Sequence, residues 1–137
     1  MKTLYSTKAT VTGGRAGSAS LADSDLTINM VPPGSGKEGN NPEQLFAMGY
    51  SACFDSALGA VKQMEKAKFD STTEIEVDLL QGEGHDYKLA AKIHVTGENT
   101  DLSADEFHKL VDKAHQVCPY SKATRGNIDV EVTSEVK

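Results

Sequence analysis

The chain has 137 residues, a formal net charge of −6, 38% hydrophobic residues and 25% charged residues. This length suits a single domain spanning residues 1–137, with the composition of an ordinary globular protein. Its lysines and arginines are scattered and only 6% of its residues are aromatic, which argues against nucleic acid and against an anionic membrane surface as partners.

The N-terminal residues, MKTLYSTKATVTGG, contain no continuous apolar segment and no small-residue cleavage pattern, which argues against a secretory signal. No stretch approaches the roughly 18 consecutive apolar residues of a membrane-spanning helix. We therefore expect a cytoplasmic protein. In the cytosol structural disulfides are rare, and those that form tend to be catalytic or redox-sensing.

The N-terminal third of the chain predicts three strands. Residues 3–11 and 15–21 are rich in Thr, Ser and Ala on either side of a Gly-Gly pair, a pattern typical of a hairpin. Apolar and polar residues alternate through LTINM (26–30), which predicts a third strand. The following segment, PPGSGKEGN (32–40), has the composition of a loop.

A long helix is predicted next. Asn41 suits the N-cap, Pro42 suits the first helical position, and Gln44 stands where a capping-box partner belongs. Apolar residues then recur at spacings of three and four as far as about Lys66, and they leave so little polar surface that we expect a central helix.

The second half of the chain predicts two strands, a helix and a last strand. Ser103 and Glu106 form a second capping box, and Pro119 ends or redirects the helix that follows. The alternating positions expected to face inward are Ile75, Val77, Leu79, Tyr87, Leu89, Ala91, Ile93, Val95, Ile128, Val130 and Val132. The predicted order is βββ-α-ββ-α-β, an α+β plan built from hairpins rather than from parallel βαβ units.

The two cysteines lie in unusual local sequences. Cys53 falls inside NPEQLFAMGYSACF (41–54), and Cys118 opens CPYSKATRGN (118–127). Both occupy predicted apolar helix faces, and a disulfide would require their Cα atoms to come within roughly 7 Å. If Cys53 were oxidised to a sulfenic acid, Cys118 would condense with it and release water. The pattern therefore favours a thiol pair that cycles between dithiol and disulfide.

Cys53 needs a nearby cation to react at neutral pH, because the thiolate is the nucleophile and apolar burial disfavours it. Cys53 lies about twelve residues into its helix, where the field of the helix N-terminus has largely faded. Arg15, inside GGRAG, is the preferred candidate, since a guanidinium stays charged when it is desolvated. Glu43 is the carboxylate expected to pair with it.

Three segments together resemble a known family. GGRAG (13–17), NPEQLFAMGYSACF (41–54) and AHQVCPYSKATRGNI (114–128) are similar to the organic hydroperoxide resistance branch of the OsmC/Ohr family. The resemblance covers essentially the whole chain. It implies an OsmC/Ohr-like α+β fold with a long central helix, assembled as an intertwined homodimer with two active sites at the subunit interface.

The same resemblance implies an enzyme, a cysteine-based peroxidase that uses neither metal nor haem. It implies that Cys53 is the peroxidatic residue and Cys118 the resolving residue. Arg15 would activate the thiolate, and Glu43 would orient Arg15. The reductant implied by the family is a dihydrolipoyl dithiol, often carried on a lipoylated protein.

Plainer interpretations exist for each of these residues. A cysteine on an apolar helix is commonly part of the core, Arg15 suits a solvated turn, and Glu43 suits the positive end of a helix dipole. His115 and Cys118 lie three apart, as two metal ligands would, but the other histidines are dispersed and we expect no metal site. The segment GSGK (34–37) lacks the remaining positions of a phosphate-binding loop.

The favoured function is a peroxidase that reduces alkyl or fatty-acid hydroperoxides to alcohols through a sulfenic acid and an intramolecular disulfide. An apolar pocket would favour such substrates over hydrogen peroxide. The alternative from another class is a non-catalytic ligand-binding or redox-sensing protein, which would oxidise once without an efficient reductant. A nearer alternative is a peroxidase of the OsmC branch, which shares the chemistry.

Overall fold

The computed structural model describes all 137 residues and forms two compact units, Met1–Leu45 and Phe46–Lys137. The predicted α+β class is confirmed. None of the helices combines the length and the apolarity that crossing a membrane requires. The assignment of the whole chain to one domain stays a prediction.

The N-terminal unit is built on an antiparallel three-stranded sheet in the order β1-β2-β3. Its strands are β1 (Ala9–Thr12), β2 (Ser18–Leu21) and β3 (Thr27–Asn29). β2 begins later than predicted, because residues Gly14–Ala16 form a turn of 3-10 helix between β1 and β2. β1 is shorter at its other end, since it begins at Ala9 rather than near residue 3. Met30 is the single buried hydrophobic residue of this unit.

The turn that carries Arg15 requires glycine on both sides. Gly13 adopts a left-handed conformation with φ of 79°, which side chains rarely tolerate. A Cβ atom on Gly17 would lie 1.7 Å from the carbonyl oxygen of Thr12, so any larger residue there would displace the backbone. The glycines of GGRAG therefore hold Arg15 on a tight turn.

A long helix, α1, runs from Pro42 to Met64 and continues from the first unit into the second. The remaining elements are β4 (Asp70–Gln81), β5 (Tyr87–Glu98), α2 (Ala104–Val117), α3 (Pro119–Thr124) and β6 (Val130–Val136). β4 and β5 form a long antiparallel hairpin. β6 pairs with β5 in parallel, from Ala91 opposite Val130 to Gly97 opposite Val136. The expectation of hairpins without a parallel unit is therefore wrong here, because α2 and α3 carry the chain across before β6 pairs.

The core of the second unit lies among α1, the β4–β5 hairpin and α2. Tyr50, Phe54, Ile93 and Phe107 are among its fully or almost fully buried members. Two residues expected to face inward, Leu79 and Tyr87, are instead 44% and 52% exposed. Both residues lie near the turn of the β4–β5 hairpin, where Gln81 pairs with Tyr87. The alternation of apolar and polar residues continues there, although this end of the hairpin is not packed against the core.

Both predicted capping boxes form. Gln44 N–H donates to Asn41 Oδ1, and Asn41 N–H donates to Gln44 Oε1, each at 2.9 Å. Ser103 and Glu106 make the reciprocal pair at the start of α2. These boxes satisfy backbone donors that the first turn of a helix leaves free, and so they fix where each helix begins.

Candidate active site

The two thiols lie together in the second unit. Cys53 projects from α1, and Cys118 is the single residue between α2 and α3. Cys118 Sγ donates to Cys53 Sγ over 3.6 Å, and neither cysteine is in a disulfide. Cys118 is fully buried, whereas Cys53 is partly exposed. Two residues 65 positions apart thus bring their sulfur atoms within contact distance.

Burial is the largest influence on Cys53, and it raises the pKa of the thiol because it disfavours the thiolate. A backbone hydrogen bond from Tyr120 acts in the opposite direction and lowers this pKa. The thiol of Cys118 raises it again, through its hydrogen bond and its charge when ionised. The surroundings of Cys53 in this unit therefore favour the neutral thiol, and a reactive thiolate needs a further positive charge.

Arg15 and Glu43 form a two-pronged ion pair in the N-terminal unit. Arg15 Nη1 donates to Glu43 Oε2 at 2.8 Å, and Nη2 donates to Oε1 at 2.6 Å. The Arg15 side chain is 50% exposed and that of Glu43 only 13% exposed. The hydrogen bonds to Arg15 lower the pKa of Glu43 and raise that of Arg15, so both groups stay charged. Both terminal nitrogens of the Arg15 guanidinium are thus held by Glu43, which lies in the first turn of α1.

A buried polar network surrounds the short helix α3. Tyr50 Oη lies 2.9 Å from Ser121 Oγ and 3.2 Å from Thr124 Oγ1. Ser121 Oγ also lies 2.8 Å from His115 Nδ1. His115 thus has a hydroxyl of α3 as its neighbour. The sequence interpretation missed this network, although a tyrosine inside an apolar helical stripe signals that its hydroxyl needs a partner.

An open cavity of about 500 Å³ lies against the first turns of α1 in the second unit. Its lining is Phe46, Tyr87, Lys88, Leu89, Ala123, Thr124, Asn127 and Ile128. Phe46 also packs against Tyr120 and Tyr50, with ring centroids 6.1 and 5.7 Å away. The cavity therefore adjoins the aromatic cluster next to α3, and apolar side chains form most of its wall.

The geometry indicates which chemistry the two cysteines could support. Two reduced sulfur atoms at 3.6 Å need little movement to form a disulfide, whose bond is about 2.05 Å long. Cys53 is the partly exposed residue of the pair, whereas Cys118 is fully buried. A site of this kind is suited to two-electron thiol redox chemistry.

Comparison with known proteins identifies the family. The family described as OsmC-like protein matches residues 34–133. The organic hydroperoxide resistance protein OhrA of Bacillus subtilis is 44% identical over 133 residues, covering 93% of each chain. That of Xanthomonas axonopodis pv. citri is 44% identical over 139 residues, covering 96% of this chain and 95% of the relative.

Solved structures agree with this result. A crystal structure of an organic hydroperoxide resistance protein from Legionella pneumophila gives a TM-score of 0.91 at 40% identity, over 98% of this chain and all of that one. The crystal structure of OhrB of Bacillus subtilis gives 0.88 at 40% identity, over 97% and 100%. The chain belongs to the OsmC/Ohr family and has its fold. The curated relatives named above place it in the organic hydroperoxide resistance branch.

Proposed function

We propose that the protein is an organic hydroperoxide reductase that works through its two cysteines. The observation that carries this proposal is the 3.6 Å separation between Cys118 Sγ and Cys53 Sγ, with Cys53 partly exposed. The names of relatives at 44% identity support the substrate class, since they are called organic hydroperoxide resistance proteins.

The proposed reaction has three balanced steps. The Cys53 thiolate attacks the outer oxygen of the hydroperoxide, the O–O bond breaks, and the alkoxide leaves and takes up a proton to become an alcohol. Cys118 then attacks the sulfur of the Cys53 sulfenic acid; a disulfide forms, and the thiol proton and the hydroxyl leave as water. A dithiol reduces the disulfide by exchange and is itself oxidised to a disulfide.

The proposed activator of Cys53 is Arg15, with Glu43 as its orienting partner. Support comes from the burial that raises the pKa of Cys53, because a thiol in such surroundings needs a cation before it ionises. The Arg15–Glu43 pair is anchored at both guanidinium nitrogens, which leaves the charge in a defined place.

The proposed substrates are alkyl or fatty-acid hydroperoxides. The cavity of about 500 Å³ beside Phe46, with its largely apolar wall, supports this preference. Contact with apolar surface favours a bound alkyl chain at roughly 25 cal/mol per Å², whereas hydrogen peroxide gains nothing from it.

The proposed reductant is a dihydrolipoyl dithiol, free or carried on a lipoylated protein, and the proposed compartment is the cytosol, where disulfides are readily reset. We also infer that the whole chain acts as one domain within an intertwined homodimer. The N-terminal unit supports this: it buries a single hydrophobic residue, Met30, and exposes Val11 and Leu26, so a second copy would supply missing apolar contacts.

The test is the intact mass and free-thiol count after one equivalent of cumene hydroperoxide, without reductant. We expect both thiols to disappear with the mass decrease of two hydrogens and no dimer-mass adduct. Cys53→Ser should keep its remaining thiol. Cys118→Ser should take up one oxygen, and a second one when further hydroperoxide is added.

Two intact thiols at unchanged mass would contradict the proposal and favour the ligand-binding alternative. Continued consumption of peroxide with a dihydrolipoyl dithiol separates an enzyme from a redox sensor, because a sensor stops after one oxidation.

A further inference from the structure

Each thiol has a polar side chain three residues away in sequence. Tyr50 precedes Cys53 on α1, His115 precedes Cys118 on α2, and Ser121 follows Cys118 on α3. Residues three apart are neighbours on a helix surface. Ser121 Oγ lies 2.9 Å from Tyr50 Oη and 2.8 Å from His115 Nδ1, so one hydroxyl joins all three helices. We call this contact set the Tyr50–Ser121–His115 bridge.

The bridge links two fully buried residues to a partly exposed histidine. Tyr50 and Ser121 are fully buried, so their hydroxyls depend on partners within the protein. Burial, together with the charge of Arg125, lowers the pKa of His115 and so favours the neutral ring, while the charge of Asp112 acts in the opposite direction. A neutral ring lets Nδ1 accept from Ser121 O–H, while Ser121 accepts from Tyr50 O–H. In this arrangement Ser121 Oγ both donates and accepts.

Cys118 lies at the junction between α2 and α3, which the bridge spans. It is the only residue between α2 and α3, with φ of −58° and ψ of 123°, and α3 begins at Pro119. The His115–Ser121 contact crosses this junction, and Arg125 Nη2 donates to the His115 carbonyl oxygen at 2.5 Å from the far end of α3. The angle between the two helices, and so the place of the Cys118 sulfur, depends on these contacts.

We propose that the Tyr50–Ser121–His115 bridge positions Cys118 for disulfide formation, so that the sulfenic acid of Cys53 is resolved before a second hydroperoxide reaches it. This inference rests on the proposed function. From 3.6 Å, the sulfurs must approach by about 1.5 Å to reach bonding distance. The competing reaction oxidises the sulfenic acid to a sulfinic acid and releases a second alcohol.

The bridge should therefore control how the sulfenic acid is partitioned. Resolution is a first-order step within the protein, whereas over-oxidation is proportional to the hydroperoxide concentration. The concentration at which the two products are equal measures the ratio of the two rates. A displacement of about 1 Å slows a positioned reaction by as much as about a hundredfold, so this crossover concentration is sensitive to the bridge.

The experiment titrates reduced protein with cumene hydroperoxide without reductant and reads disulfide and sulfinic acid by intact mass. Ser121→Ala and Tyr50→Phe should each lower the crossover concentration by about tenfold or more. The double variant should lower the crossover concentration by less than the two single effects combined, because both changes break the Tyr50–Ser121 contact. Ser134→Ala is the matched control. It removes a hydroxyl on β6 that lies 2.7 Å from His108 Nδ1, and it should leave the crossover concentration unchanged.

A conservative variant separates positioning from general stability. His115→Gln retains a hydrogen-bonding group facing Ser121 and should keep a higher crossover concentration than His115→Leu. If Ser121→Ala does not fold, Tyr50→Phe, which removes one oxygen atom, decides the question.

Wild-type crossover concentrations in folded Ser121→Ala and Tyr50→Phe would overturn this inference while leaving the peroxidase intact. A wild-type protein that forms no disulfide would instead reject the proposed function itself.

Discussion

Replacing Arg15 by alanine tests the proposed activation of Cys53. The cleanest background is Cys118→Ser, which leaves Cys53 as the only thiol and removes its sulfur neighbour. Burial already raises the pKa of Cys53, so the thiolate depends on whatever cation reaches it. If that cation is Arg15, its removal should slow every reaction of the thiolate at neutral pH.

The size of the effect follows from the charges. A guanidinium about 4 Å from a thiolate is worth about 4 kcal/mol at an effective dielectric constant near 20. Glu43 cancels part of this attraction, and solvent at the 50% exposed Arg15 side chain screens more, which leaves about 2 kcal/mol. We therefore expect Arg15→Ala to slow alkylation of Cys53 at pH 7 by about 30-fold, since 1.4 kcal/mol is a factor of ten.

The assay is iodoacetamide alkylation followed by intact mass at several pH values between about 5 and 9. Because only the thiolate reacts, the rate rises with pH, and loss of the cation should move this rise to higher pH. Lys113→Ala is the matched control, since it removes a cation paired with Glu65 at 2.5 Å on the surface. Identical pH profiles for the Arg15→Ala variant and its parent would refute this account of thiolate activation.

Two further predictions concern the cavity and the core. Cumene hydroperoxide should be reduced with a kcat/KM at least about tenfold above that of hydrogen peroxide, because only the aryl-alkyl group gains from apolar contact; similar values in a coupled peroxidase assay would contradict the cavity argument. Gly97→Ala should lower the free energy of unfolding by about 1–3 kcal/mol, since its Cβ would lie 2.8 Å from the buried Phe107 ring. Gly59→Ala on α1, where a Cβ meets nothing within 4 Å, should instead stabilise slightly, and thermal melts that rank the two variants the other way would refute both assignments.

Local signals in the sequence were sufficient for the helix starts. The capping boxes at Asn41 and Ser103 depend on residues three positions apart, so the sequence contains all the information they need. The prediction that Pro119 ends or redirects its helix is also confirmed, because α3 begins at Pro119. Its ring fits the first position of a helix and not the interior of one.

Contacts between residues far apart in the sequence could not be predicted from such local signals. The partner of β6 is fixed by where α2 and α3 carry the chain, and alternation in residues 130–136 is the same for parallel and antiparallel pairing. The 3-10 turn around Arg15 replaces the start of the predicted second strand for a related reason, because composition does not separate a strand end from a tight turn. The contact between Ser121 and Tyr50 joins residues 71 positions apart, and no local pattern contains it.

The unequal exposure of the two cysteine residues has a kinetic consequence for the proposed cycle. Cys118 is fully buried and Cys53 is partly exposed, so a disulfide between them offers an incoming dithiol only the Cys53 sulfur. Attack there makes Cys118 the leaving group and returns it, reduced, to the core. The hydroperoxide and the dithiol would thus react in alternation with the same atom, the Cys53 sulfur. We expect ping-pong kinetics, in which a high concentration of either substrate inhibits the half-reaction of the other.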